Sequence, residues 1–552
     1  LSSPLPSFKK LTVLNKPDTP TVMTDKTEPI DLAGQGMDHS PLVRSWTVQV
    51  TPPSLRDNTA LAERLARAIE KATGPAGLTA PLSLAAGLAD LYAEADYRVW
   101  VAVQVDRDPG RIVMVEPAPG PGRAYGLAVD LGSTTLVFAL VDLETPAVID
   151  RLTLANPQVK YGEDILSRVH FADRPGGLDA LVQALRQAVN QGAAEICSVH
   201  GLDSGRLAAA ALSGNTTMTH FILGLSPRTI IREPYVPVIN RPEGLSAAQI
   251  GLDLAPEAPV LVMPNKGAYF GGDLMAGLVV SGMNRAEKPC FLVDVGTNAE
   301  VVLGQADWLL GAAGAAGPAL EGGVAQMGMA AASGAVDRVR IDRTGKALTY
   351  RTIDGRPARG LCGSGLIDLL AELFLSGLID FRGRLTLPPG HPQRLETDEG
   401  PAFVVVPAEE TEDGRPITVS EVELDILLRS KAAMYTILTT VIKSVGLTFD
   451  QIDRFYVAGT FGQFIDPRMA VAVGMLPDLT LDRFVPLGNS SLQGAILALV
   501  SGQARAEVME VWRKLTYLEM NVNQELMNRF SAARFIPHTN RSLFPSVGTT
   551  IT

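Results

Sequence analysis

Two short stretches carry residue types that could do chemistry. Asp130-Leu131-Gly132-Ser133-Thr134-Thr135 and Asp294-Val295-Gly296-Thr297-Asn298 each set a carboxylate two residues before a glycine, followed by hydroxyl or amide side chains. A glycine turn lined with hydroxyls and backbone N–H groups can cradle phosphate oxygens. A carboxylate at its mouth can hold Mg²⁺ through water. Either stretch alone reads equally as a hairpin with a polar turn. Two in one chain suggest related half-domains whose opposed turns grip one polyphosphate. Small polar groups also follow strands at Gly214-Asn215-Thr216-Thr217, Val457-Ala458-Gly459-Thr460-Phe461-Gly462 and Gly488-Asn489. At Asn215 and Thr216 two readings stay open: a ligand site at a strand's carboxyl end and a plain helix N-cap. A glycine pair such as Gly459 and Gly462 can let a nucleoside lie against the backbone. The six histidines show no metal spacing, so no metal role is assigned to them.

The elements that must position these residues follow from periodicity. Tyr125 to Asp142 reads as strand, turn, strand, and Phe291 to Leu303 repeats it. A helix is expected from about Asp164, a long one over 177–199, a buried strand at Ala208 to Leu212, a helix from Leu366 to about 378, another over 419–445 and a strand at Ile452 to Val457. Residues 381–415 form a Pro- and Gly-broken excursion. Val508, Val511, Trp512, Leu515 and Leu518 form a helical stripe that belongs to the core. Before the large domain lies a small unit. It has a strand carrying Trp46, Val48 and Val50, and a helix capped by Asp57 or Asn58 with Leu61, Leu65 and Ile69 on one face. A second helix covers 81–93, and strands lie near 99–105 and 112–115. That unit lacks a convergent polar cluster and reads as a spacer or interaction module. Residues 1–43 read as a linker or tail. The expected organisation is therefore 1–43 linker, 44–119 small α/β middle domain, and 120–552 a two-lobed α/β domain with halves 120–285 and 286–552.

The chain of 552 residues is 46% hydrophobic and 19% charged, which places it among globular proteins. Its net charge of -11 argues against a nucleic-acid binder. No apolar run reaches the length of a membrane span. Cys197, Cys290 and Cys362 are widely spaced, which excludes a disulfide framework, makes cytoplasmic residence the default and rules out a four-cysteine iron–sulfur cluster built by this chain alone.

The ordered set of motifs resembles the acetate and sugar kinase/heat-shock chaperone/actin (ASKHA) superfamily, with its ribonuclease H-like halves. Further stretches resemble the reductive activators of corrinoid-dependent enzymes more closely. These are Asn156-Pro157-Gln158-Val159-Lys160-Tyr161-Gly162, Gly317-Pro318-Ala319-Leu320-Glu321-Gly322, Cys362-Gly363-Ser364-Gly365-Leu366-Ile367-Asp368 and Ala458-Gly459-Thr460-Phe461-Gly462-Gln463-Phe464-Ile465-Asp466-Pro467. The resemblance spans most of residues 44–545. It implies ATP-driven reduction of a Co(II) corrinoid protein to Co(I) for a methyltransferase system. It also implies ATP and Mg²⁺ as cofactors and a homodimer, with a corrinoid protein and an electron donor as partners.

In that reading Asp130 and Asp294 are catalytic and hold Mg²⁺. Gly132, Ser133, Thr134, Thr135, Gly296, Thr297 and Asn298 hold phosphates, and Gly459, Thr460 and Gly462 line the adenosine. Asn215 and Thr216 sense closure, and Gly488 and Asn489 complete the nucleotide site. Gly317, Glu321, Gly363 and Ser364 face the partner. Electrons reach such activators through an N-terminal [2Fe–2S] module. No cysteine precedes Cys197, so the expectation is that such a domain precedes Leu1 or that a separate donor serves. Where relatives carry a serine before the Ala-Ala-Gly-Pro segment, this chain has Ala312, Ala313 and Gly314, which implies a different approach to cobalt. The rivals are a small-molecule kinase on the same fold and a nucleotide-gated binding protein without redox work.

Overall fold

The computed structural model describes residues 27–72, 74–296, 298–315, 327–329, 331–342, 345, 347–398, 400–459, 462, 465–518 and 525–547, with backbone alone at 298, 315 and 525–527. Thr297, Gly317, Glu321, Thr460 and the side chain of Asn298 therefore lie outside the described residues.

β1 (Glu28–Pro29) pairs antiparallel with a later edge strand, and Leu32, Met37 and Leu42 are buried in the core of the first large half. Part of the stretch read as a linker thus packs on the large domain. Its few apolar residues follow no period, so they carry no helix or strand signal. The small module is a three-stranded antiparallel sheet of β2 (Val43–Gln49), β3 and β4. Over one of its faces lie α1 (Leu61–Lys71), α2 (Leu82–Ala85) and α3 (Leu88–Glu94). β3 (Arg98–Gln104) is central and β4 (Arg111–Pro117) follows it.

Alternation along β3 decides what goes where. Val99, Val101 and Val103 pack with Leu65, Ile69, Leu88 and Tyr92, whereas Trp100 and Ala102 enter the core of the large domain. Neither Asp57 nor Asn58 caps α1. The N-cap is Ala60, and the Asp57 carboxylate instead accepts from the Thr59 hydroxyl (2.7 Å) and Arg64 Nη1 (2.8 Å). The single helix expected over 81–93 breaks at Ala86–Gly87.

The first half comprises β5 (Tyr125–Leu131), β6 (Thr135–Asp142), β7 (Ala147–Ala155), α4 (Ile165–Ala172), α5 (Gly177–Val199), β8 (Ala209–Gly214), α6 (Thr216–Leu223), β9 (Leu245–Ser246), β10 (Pro259–Val262) and α7 (Gly272–Ser281). Its sheet runs β1-β7-β6-β5-β8-β10-β9, with β5, β8 and β10 parallel.

The second half starts with β11 (Cys290–Val295), β12 (Asn298–Gln305) and β13 (Trp308–Ala315). Then come β14 (Ala335–Ile341), β15 (Leu348–Thr352), β16 (Gly360–Leu361) and α8 (Gly363–Leu375), and next β17 (Arg394–Thr397), β18 (Gly400–Val406), β19 (Ile417–Ser420) and α9 (Glu421–Ser444). It ends with β20 (Phe455–Ala458), α10 (Pro467–Ala472), β21 (Phe484–Gly488), α11 (Ser490–Val500), α12 (Gly502–Lys514), β22 (Leu515–Tyr517) and α13 (Glu525–Ala533). Its main sheet runs β21-β20-β11-β12-β13-β22. The order β13-β12-β11-β20-β21 repeats β7-β6-β5-β8-β10 of the first half, with the same parallel and antiparallel senses. The excursion at 381–415 contributes strands to a separate three-stranded sheet, β17-β18-β19.

The halves are joined by an exchange of helices. α11, from the second half, packs on β5 and β8, and its Leu492, Ala495, Ile496 and Leu499 belong to the first half's core. It crosses α7 so closely that a Cβ on Gly494 would lie 2.4 Å from that of Ala276. The expected helical stripe through Leu515 and Leu518 stops at Lys514. From Leu515 the chain is extended and pairs in parallel with β13, so Leu515 is buried as a strand residue.

Candidate functional site

Asp130 ends up near the tip of β5, beside the turn into β6. Gly132 is required there because a Cβ would stand 2.3 Å from the Thr135 carbonyl oxygen. The turn is braced from β7's exit. Asn156 Nδ2 donates to the Gly132 carbonyl (2.9 Å) and Asn156 N to that of Thr134 (2.8 Å). Thr134 is exposed at this turn, and Thr135, expected in it, is the first residue of β6, paired with Ala155.

The Asp130 carboxylate is held from the other half. Asn489 Nδ2 donates to Oδ2 (2.9 Å) and the Ser491 hydroxyl donates to Oδ1 (2.7 Å). Ser213 Oγ lies 2.9 Å from Ser491 Oγ. A hydroxyl has one proton, so with Ser491 committed to the carboxylate, Ser213 donates to Ser491. Asn489 does double duty, since its Oδ1 accepts from Leu492 N and caps α11 (2.8 Å). Burial raises the Asp130 carboxyl above its usual range, opposed by the Ser491 and Asn489 bonds.

Asp294 occupies the matching place in β11, opposite Ala458 of β20 as Asp130 is opposite Ser213 of β8. Gly459 has φ +76° and carries its backbone over this carboxylate, where a Cβ would come 2.8 Å from Asp294 Oδ1. A third carboxylate, not singled out from the sequence, joins them. Asp273 lies in the first turn of α7 and accepts from Leu274 N (2.8 Å). Burial first, then the charge of Asp294 and that of Asp130, push it up to about 7. Its one sequence signal is Gly271-Gly272-Asp273 at a helix start after a strand.

A buried carboxylate, Asp273, repelled by the charges of Asp294 and Asp130 is what a cation relieves. Among the described residues no three His, Cys, Asp or Glu groups converge closely enough to hold a metal themselves. The chemistry of these carboxylates suits Mg²⁺, which keeps several waters and takes one or two carboxylates. The cysteines fit no iron–sulfur cluster, since Cys197, Cys290 and Cys362 are each buried and unpaired, with the first two thiols pushed up to about 12 and about 11 by burial.

The remaining expected residues divide. Asn215 is the N-cap of α6, accepting from Met218 N (3.0 Å), and Thr216 Oγ1 donates to the Gly267 carbonyl (3.3 Å), in the loop that leads to Asp273. Gly488 ends β21 directly before Asn489. Gly296 follows Asp294 at the end of β11, and Gly462 packs against the Val457 carbonyl. Gly363 and Ser364 were expected on the partner face. Both are buried in the first turn of α8, with Ser364 Oγ 3.3 Å from Cys362 Sγ, because that turn is wedged against β14.

Profiles described as the linker region, the middle region and the C-terminal ASKHA domain of RACo match residues 33–119, 125–286 and 288–548. A solved structure described as a reductive activator for corrinoid, iron-sulfur protein shares 35% identity and superposes with a TM-score of 0.84, covering 92% of this chain and 81% of that one. The chain belongs to the RACo family of reductive activators. Two curated relatives of this RACo chain are similar along most of their length. The corrinoid activation enzyme RamQ of Eubacterium limosum is 29% identical over 74% of this chain and 69% of its own. The [Co(II) methylated amine-specific corrinoid protein] reductase of Methanosarcina barkeri is 24% identical over 74% and 76%. Among the described residues this RACo chain has no helix long and apolar enough to cross a membrane.

Proposed function

We propose that this protein uses ATP to return an oxidised corrinoid protein of a methyltransferase system from Co(II) to Co(I). The electron arrives one at a time from an iron–sulfur domain or a separate low-potential donor, and ATP is hydrolysed to ADP and phosphate. Membership of the RACo family supports the reaction class, and the carboxylate cluster spanning both halves supports a nucleotide-driven cycle.

Asp130 and Asp294 would hold Mg²⁺ through water, and the ion would supply charge neutralisation at the phosphates. The turns after Asp130 and Asp294 cradle those phosphates, and Asp130 orients the attacking water. Gly459 and Gly462 line the adenosine side. Asn489 and Ser491 keep the Asp130 carboxylate aimed only while α11 stays seated on β5 and β8, so nucleotide position and lobe arrangement are linked. Nucleotide shifts the arrangement to the extent that it binds one arrangement better. The partner is a corrinoid protein, the assembly a homodimer and the location cytoplasmic.

The deciding experiment mixes the protein, a low-potential one-electron reductant and a Co(II) corrinoid protein, and follows the Co(I) absorbance spectrum. Appearance of Co(I) that needs both ATP and this protein supports the reading. Equal reduction without ATP overturns it, and phosphorylation of a sugar or carboxylate with no corrinoid protein present would establish the kinase alternative.

A further inference from the structure

Asp466, which follows the adenosine segment in the chain, and residues 327–329, which follow the glycine-rich segment, lie on different parts of the second half. One side chain stands between them. Arg340, on β14, forks into three carboxylates. Nη1 donates to Asp368 Oδ2 (2.5 Å), Nη2 to Asp466 Oδ2 (2.9 Å), and Nε lies 3.6 Å from Glu372 Oε1. Asp368, Asp466 and Glu372 are 2%, 7% and 8% exposed, while the Arg340 side chain that joins them is 33% exposed.

Each prong ends on a different element. Asp466 closes the adenosine turn and caps α10, accepting from Arg468 N (3.0 Å). Asp368 and Glu372 lie on successive turns of α8, and each also accepts a backbone N–H of β14, from Val339 and Ile341. Just upstream of α8, Leu361 is bonded on both sides to the exit of the glycine-rich stretch. Leu361 N donates to the Met327 carbonyl (2.8 Å) and Met329 N to that of Leu361 (2.9 Å). The contacts therefore run from Asp466 to Arg340, to α8, and along the chain to Leu361, Met327 and Met329.

We infer that Arg340 is a positioning residue that transmits the state of the adenosine turn to residues 327–329 and 361, and so makes corrinoid reduction respond to nucleotide. The inference rests on the function proposed above. The guanidinium suits the task because its planar fork binds several oxygens at fixed angles, which an ammonium does not. Arg340 is the cation common to all three buried carboxylates, although Arg468 Nε also lies 3.4 Å from Asp466 Oδ1, and burial holds Asp368 up at about 6, so movement of Asp466 alters how Arg340 is shared with α8.

The test uses the full chain and its Arg340→Met, Arg340→Lys and Asp368→Asn variants. Amide hydrogen exchange is followed at 327–329 and 361–366 with and without a non-hydrolysable ATP analogue, beside nucleotide affinity and ATP-dependent Co(I) formation. In the wild type, nucleotide changes exchange at these amides. In Arg340→Met, affinity stays within about threefold while the exchange response disappears and Co(I) formation falls by about tenfold or more. Arg340→Lys recovers part of both.

A wild type with no exchange response, or an Arg340→Met protein that keeps it, overturns the inference. So does a loss of nucleotide binding in parallel with the response, since Arg340 would then only hold the turn in place. If Arg340→Met does not fold, Asp368→Asn weakens the prong to α8, away from the adenosine turn, and is read by the same criteria. A wild type that shows the exchange response without ATP-dependent Co(I) refutes the function and leaves the strut standing.

Discussion

Asp130 is held by side chains 359 and 361 residues away in the chain, and that separation explains what the sequence could and could not disclose. The Asp-x-Gly-Ser turn was readable because strand, carboxylate, glycine and hydroxyls are contiguous. Asn489 was readable as a small polar residue following a strand. Ser491 and Asp273 were not, because their roles exist only once α11 and α7 meet β5 and β11. Removing the charge in Asp130→Asn should lower ATP hydrolysis by about 100-fold or more, with ATP affinity measured by fluorescence changing far less. Ser491→Ala keeps the charge but loosens one oxygen, so a fall of about 5- to 20-fold in kcat with KM nearly constant is expected. Equal rates for Ser491→Ala and wild type would remove Ser491 from the site.

At the scale of elements, the strands and long helices were legible from period, as α5 at Gly177–Val199 and the hairpins β5–β6 and β11–β12 show. Reading Leu515 onto a helix failed because a single apolar residue every three or four positions fits both a helix end and a buried strand. Only pairing with β13 decides between them. The crossing of α7 and α11 gives a stability prediction. Gly494→Val places branched carbon where Ala276 already sits, so a loss of about 1–3 kcal/mol is expected in urea unfolding.

The α8 anchor gives a pH prediction. Asp368 has a folded value near 6 against an ordinary 3.8, so the folded state keeps a proton that the unfolded chain releases. Stability associated with this group is therefore lost as pH rises from about 4 to about 6, and the loss is complete above that. The melting temperature of Asp368→Asn relative to wild type should move in the variant's favour between pH 4.5 and pH 7.5. A difference constant across that range would show that Asp368 titrates normally.

At the scale of the whole molecule, the carboxylates Asp130, Asp273 and Asp294 and their partners come from both half-domains, so a ligand bound among them would stabilise both. A non-hydrolysable ATP analogue with Mg²⁺ at about 100 times its Kd should add about 2.7 kcal/mol to folding, read as a single upward shift in thermal melting. Chelating the metal should remove most of it, and Asp130→Asn should lose much of the metal-dependent part. The exchange of α11 into the first half has a further consequence, for synthesis on the ribosome. The sheet built from residues 125–262 cannot bury the face under α11 until residues 490–500 have been made. At roughly 5–20 residues per second the nascent first half waits on the order of ten seconds to a minute with that face bare. A chain stopped before residue 490 is therefore expected to be a holdase client, retained by ribosome-associated chaperones, while the completed chain is released.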